Sequence, residues 1–147
     1  MQRRTALKLG LSLISIAATP SWAVEGATQV TLYKDPQCGC CEVYTGYLRD
    51  NGFTVNVVET IHLPMMYARY GVPSAFQSCH LAMIDRYLAV GHIPVDVIKR
   101  MLAEKPGITG ITLPGMPAGS PGMDGNKTEP FKIYALGDGS PKLYAID

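Results

Sequence analysis

Polar and apolar positions fall into short segments whose period switches repeatedly between two and about 3.6 residues. Val30 to Tyr33 is a β-branched, apolar run ending at Asp35-Pro36, a turn-forming pair, and it predicts a first strand. From Glu42 the spacing becomes helical, with Tyr44, Tyr47, Leu48 and Asn51 near one face and Gly52 placed to end it. Phe53 to Val58 alternates as a second strand. A short helix with Pro64 in its first turn runs to about Tyr70, where Gly71-Val72-Pro73-Ser74 breaks it. Ser78 to Ile84 and Tyr87 to Val90 read as a hairpin across Asp85-Arg86, a turn without the usual Gly or Asn. Val95, Ile98, Met101 and Leu102 form the stripe of a last helix, which follows Pro94 and stops at Lys105-Pro106-Gly107.

A strand-helix-strand unit followed by a helix, a hairpin and a covering helix predicts an α/β, thioredoxin-like domain. Residues 107 to 129 interrupt that rhythm. They are rich in Gly and Pro, show no period, and read as one long loop of the length that is usually functional or disordered. Phe131 to Leu136 and Lys142 to Ile146, joined through Gly137-Asp138-Gly139, predict a C-terminal β-hairpin.

With 147 residues, 47% of them hydrophobic and 17% charged, the chain can bury one core and is not of disordered composition. Thirteen basic residues against twelve acidic ones exclude a general nucleic-acid binder, which needs a basic surface. The first 23 residues have the pattern of an export signal. Arg3 and Arg4 precede an apolar run, Leu9 to Ala18, that is too short to span a bilayer, and Ser21-Trp22-Ala23 offers small residues for cleavage. Arg3-Arg4-Thr5-Ala6-Leu7-Lys8 resembles the twin-arginine motif, with Ala6 where Phe is preferred. Cleavage would leave ten basic against twelve acidic groups in residues 24–147, a periplasmic domain without a membrane span. Asn126-Lys127-Thr128 matches a glycosylation acceptor, which the bacterial export route makes irrelevant.

All four cysteines lie in that mature part, and their spacing is the main chemical signal. Cys38-Gly39-Cys40-Cys41 sits between a strand and a helix start, where unpaired N–H groups and the helix dipole favour thiolate. Thiolate is both a redox nucleophile and a metal ligand. A dithiol centre needs two sulfurs, and a third in the same turn invites exchange with the wrong partner, whereas a soft metal ion gains from each added thiolate. Cys79 and His80 follow the Val72-Pro73 turn, which this fold places beside the first motif. Three alternatives stand beside a converging metal site: two bridges, such as Cys38 with Cys41 and Cys40 with Cys79; a structural zinc of the three-Cys, one-His type; and a thiol-disulfide oxidoreductase using Cys38 and Cys41. Glu42 after Cys41 excludes a c-type haem motif.

Met116 and Met123 each follow Pro-Gly in the loop, with no helical face to serve. They read equally as soft Cu(I) ligands or as plugs holding the loop to the core. Met65, Met66, Met83 and Met101 lie on helix or strand patterns and read as core. His92, just ahead of a helix, is a candidate ligand. His80 is another, although a regular strand would turn it away from Cys79; His62 reads as surface. Lys34, Asp35 and Glu42 give the thiols no cationic bias.

Cys38-Gly39-Cys40-Cys41, Gly52-Phe53, Gly71-Val72-Pro73, Ser78-Cys79-His80, Gly91-His92-Ile93-Pro94 and the loop from Pro114 to Met123 together resemble the CopG-type family of periplasmic copper-associated proteins. The resemblance spans nearly the whole mature chain. It implies a thioredoxin-like fold, copper bound through the clustered cysteines Cys38, Cys40, Cys41 and Cys79, a role in copper resistance, and copper redox activity; copper ions and other periplasmic copper-handling proteins are the expected partners. The metal expected is Cu(I), in a cysteine-rich multinuclear site supplemented by His80, His92, Met116 or Met123, with zinc the alternative. Relatives often carry an acidic residue just before the Gly-His pair. Val90 stands there in this chain, which leaves His92 without that orienting partner.

Overall fold

The computed structural model describes residues 26–147. The export-signal pattern of residues 1–23 lies outside the described residues. Strand β1 (Thr28–Lys34), helix α1 (Gly39–Asp50) and strand β2 (Phe53–Glu59) form the first unit, with β1 and β2 parallel. Helix α2 (Leu63–Arg69) and a single 3₁₀ turn at Ser74–Phe76 lead to β3 (His80–Ile84), β4 (Tyr87–Val90) and α3 (Val95–Glu104). Strands β5 (Gly110–Thr112), β6 (Lys132–Leu136) and β7 (Lys142–Ile146) complete one seven-stranded sheet in the order β2-β1-β3-β4-β5-β6-β7.

Three local features follow from residue chemistry. Asp85 supplies the left-handed residue, φ 55°, that the β3–β4 turn needs in place of Gly or Asn. Pro64 sits in the first turn of α2, where a missing N–H costs nothing. Lys105 ends α3 in the left-handed conformation and returns its N–H to the Met101 carbonyl.

Helices α1 and α3 cover one face of the sheet, where Tyr44, Leu48, Ile98 and Met101 pack on Val30, Leu32 and Ile111. Helix α2 covers the other face through Leu63 and Tyr67, against Leu81, Leu88 and Leu136. Among the described residues no helix is long and apolar enough to cross a membrane.

The structure departs from the sequence reading at three places. Helix α1 begins at Gly39 rather than Glu42, because Gly39 and Cys40 lie on its outer side and give no apolar period. Residues 110–112, expected inside a structureless loop, form β5. It runs parallel to β4 and joins the C-terminal hairpin to the main sheet. Met65 is not core: it is exposed on α2, whereas Met101 is fully buried.

Candidate metal centre

The Asp35–Cys38 turn delivers the first sulfur. The Asp35 carbonyl accepts the Cys38 N–H at 3.0 Å, and the Asp35 carboxylate accepts the Gln37 N–H at 2.8 Å. Lys34, 1% exposed, fixes this turn from beneath: its Nζ donates to the Asp35 carbonyl at 3.1 Å and pairs with Glu42 at 2.9 Å and Glu59 at 3.6 Å. The bond to Glu42 is the chief reason the Lys34 ammonium is held above its ordinary pKa. Its charge is spent on carboxylates, in keeping with the absence of a cationic bias on the thiols.

Cys38 caps α1, and Cys40 and Cys41 lie in its first turn. Cys79 precedes β3, on a segment tied down by Tyr67, whose hydroxyl lies 2.9 Å from both the Ser78 and His80 carbonyls. All four sulfurs consequently lie within 4.8 Å of one another. Cys38 and Cys41 are joined by a disulfide, while Cys40 and Cys79 are free thiols 3.8 Å apart. One of the two bridges weighed from the sequence is therefore present. In this state two of the four sulfurs are not thiolate donors, and a four-sulfur site requires that bridge to be reduced.

Two imidazoles meet the same cluster. Cys79 Sγ lies 3.2 Å from His92 Nε2 and 3.4 Å from His80 Nδ1. Strand alternation does not separate Cys79 from His80, because Cys79 lies outside the strand. His92 is oriented by its other ring nitrogen, 2.7 Å from the Pro121 carbonyl. That contact makes Nδ1 the protonated nitrogen and leaves the Nε2 lone pair facing the sulfur. A backbone carbonyl of the Gly/Pro loop thus does the orienting work for which Val90 provides no side chain. His80 stacks against Tyr44 with ring centroids 4.7 Å apart, and its buried Nε2 has no partner among the described residues.

The Gly/Pro loop is an ordered strap. Ser120 is buried and donates its hydroxyl to the Pro117 carbonyl at 2.7 Å. Gly122, at φ +83°, passes so close to α1 that a Cβ there would stand 2.9 Å from the Tyr44 nitrogen. Met116 and Met123 line one cavity of about 490 Å³ together with Cys40, Val43 and Asp124. Met116 is 40% exposed and therefore does not plug the core.

Burial sets the protonation states. It pushes the Cys79 thiol up to about 12, with the neighbouring Cys40 as the second cause. Burial likewise holds His80 down at about 3, helped by His92, and lowers His92. Both imidazoles are neutral at pH 7, the state in which a ring nitrogen can bind a metal. Sulfur donors, neutral imidazole and nearby thioether form a donor set that suits a soft or borderline metal ion and not a hard one. Sequence reasoning missed Tyr67 and the Pro121 carbonyl, and it placed Tyr44 on a helix face without a part in the site. A backbone acceptor leaves no trace in residue type, and a tyrosine on an apolar helix face looks like any other core aromatic.

A family model described as "Protein of unknown function, DUF411" matches residues 76–123, a span that holds Cys79, His80, His92, Met116 and Met123. Two solved structures, "Copper resistance protein copG- Form 2" and "Copper resistance protein copG- Form 1", are each 32% identical to the chain with a TM-score of 0.75. Each alignment covers 82% of this chain and 98% of the other. No curated protein matches the sequence significantly. At that identity and coverage, the chain belongs to the CopG-type family.

Proposed function

We propose that this protein holds copper, as Cu(I), in a periplasmic copper-resistance role. The carrying observation is the convergence of four sulfurs within 4.8 Å, three of them from one helix start. In the reduced protein Cys38, Cys40, Cys41 and Cys79 supply thiolates. His92 and His80 add nitrogen from the buried side, and Met116 and Met123 line the approach to Cys40. So many soft donors in so small a volume favour more than one Cu(I), with thiolates bridging. The name of the solved relatives supports copper as the metal. Export through residues 1–23 by the twin-arginine route would deliver the domain to the periplasm, and replacing Arg3 and Arg4 by Lys should retain it in the cytoplasm.

Anaerobic Cu(I) titration of the reduced protein against a competing chelator tests the reading. Wild type should take up copper tightly, and Cys40→Ser should lose stoichiometry or affinity. A reduced wild type that leaves all copper with the chelator would sink it.

The Cys38–Cys41 bridge favours a second reading, a thiol-disulfide oxidoreductase. On that reading Cys38→Ser abolishes dithiol exchange and Cys40→Ser leaves it largely intact.

A further inference from the structure

The sulfur cluster is approached from two sides by chemically different openings. The methionine-lined cavity reaches Cys40. A separate groove of about 440 Å³ reaches Cys38 and Cys79, walled by Ile61, Leu63 and Pro64 on one side and Gln77 and Ser78 on the other. Cys38 is half-buried and faces this groove, whereas Cys41, the other half of the bridge, is fully buried and lines neither opening. Among the described residues, Asp35 is the only charged one lining the groove, and no Lys or Arg lines it. Lys34, beneath the groove, is buried and matched by Glu42 and Glu59. The mouth of the groove is thus acidic as well as apolar.

We infer that this groove is the site at which a small uncharged or cationic thiol opens the Cys38–Cys41 disulfide by attack on Cys38, and that anionic thiols are disfavoured there. The inference deepens the copper reading, since opening the bridge restores two of the four thiols. Its chemistry nevertheless runs without copper. A thiolate enters the groove and bonds to Cys38 Sγ. The bond to Cys41 breaks, and its electron pair leaves on Cys41 Sγ, which takes up a proton. A second thiolate attacks the external sulfur of the mixed disulfide and releases Cys38 as thiol. Two external thiols are oxidised to one disulfide, and the protein disulfide is reduced to two thiols. Attack on Cys41 has no path, because that sulfur is covered by the helix and by the Cys79 carbonyl, 3.6 Å away.

Three thiols of similar size and different charge test the assignment: cysteamine, 2-mercaptoethanol and 3-mercaptopropionate. The metal-free, oxidised protein is first mapped by alkylation and mass spectrometry, which must find the Cys38–Cys41 bridge. The rate of bridge opening is then measured at low ionic strength, per thiolate, and divided by the rate of the same thiol with a small uncharged disulfide. Cysteamine should exceed 3-mercaptopropionate by about threefold or more, the scale of one unit charge several ångströms away in a wet groove. Asp35→Asn, which keeps the acceptor for the Gln37 N–H, should compress that ratio. Ile61→Glu, at a side chain 74% exposed, should widen it. Acid-quenched intermediates should carry the external thiol on Cys38. Equal normalised rates for the three thiols, a ratio unmoved by both variants, or a first adduct on Cys41 would each overturn the assignment. Copper uptake is measured separately on chemically reduced protein, so a failure of the copper reading is told apart from a failure of this one.

Discussion

His92 Nε2 stands 3.2 Å from Cys79 Sγ, across thirteen residues of chain, with the ring held in place by a carbonyl on a third segment. The pairing joins the end of one strand connection to the start of α3 through atoms that both suit a soft metal. His92→Ala should lower Cu(I) affinity by about tenfold or more while leaving the thiol count intact, as loss of an oriented imidazole does at other metal sites. Chelator competition and a thiol assay on the same sample check it; unchanged affinity removes His92 from the site.

The strap that orients His92 depends on a glycine. Gly122→Ala places a Cβ against the Tyr44 backbone at a left-handed φ, so the strap must lift and the Pro121 carbonyl must leave His92. Gly115, at φ +82° with nothing within 4 Å, is the control. Its alanine variant should lose about 1–2 kcal/mol for backbone conformation alone. Gly122→Ala should lose more than that in urea unfolding and should also weaken Cu(I) binding, which Gly115→Ala should not. Equal losses at the two positions would mean that the strap does not act through α1.

Copper loading should release protons. The buried Cys79 thiol, pushed up to about 12, is protonated at neutral pH, and a metal that binds its sulfur must displace that proton. Affinity should therefore rise as pH rises from 6 to 8.5, by about tenfold per unit for this proton alone. Proton uptake or release can be read in weakly buffered solution during anaerobic titration. PH-independent affinity over that range would exclude Cys79 as a ligand.

Stability of the metal-free protein should fall in mild acid. His80 titrates near 6.5 when unfolded and near 3 when folded, so below 6.5 only the unfolded chain takes up the proton. The folded state keeps its full margin above about 6.5 and loses it progressively toward 3, at up to about 1.4 kcal/mol per pH unit from this group. His92, lowered by the same burial, acts in the same direction. Urea midpoints at pH 7.5 and 5 measure the effect, and a midpoint that holds or rises at pH 5 contradicts the buried neutral state.

The core elements of this fold are legible in the chain because their apolar residues repeat with a clear period: Tyr44 and Leu48 on α1, and Ile98 and Met101 on α3. The clustering of Cys38, Cys40 and Cys41 is legible because it is local. Two kinds of information are not. Strand β5 is three residues long and is a strand because β4 at Leu88–Val90 and β6 at Tyr134–Leu136 flank it, so no local pattern announces it. The environment of His92 is set by a carbonyl 29 residues away, and carbonyls are the same in every residue. Lys34 falls between these cases. Its type was plain, but at the end of an apolar strand nothing in the sequence said that the loop would fold over it.

That buried lysine supplies the last prediction. Lys34 Nζ lies 3.1 Å from the Asp35 carbonyl, and the same oxygen accepts the Cys38 N–H; on the other side Nζ pairs with Glu42, one residue past Cys41. The side chain therefore grips both flanks of the four-residue motif. Lys34→Met keeps the buried stem and removes the grip: the Asp35 carbonyl is left with the Cys38 N–H alone and Glu42 and Glu59 lose their cation, at a cost of about 1–3 kcal/mol in urea unfolding. Because Cys38 is positioned by that turn, Cu(I) affinity should fall as well, although Lys34 touches no metal. Lys34→Arg, which retains the charge and its donors, should recover most of the stability, and affinity should return with it. If Lys34→Met loses stability but binds copper like wild type, the lysine anchors the fold without setting the place of Cys38.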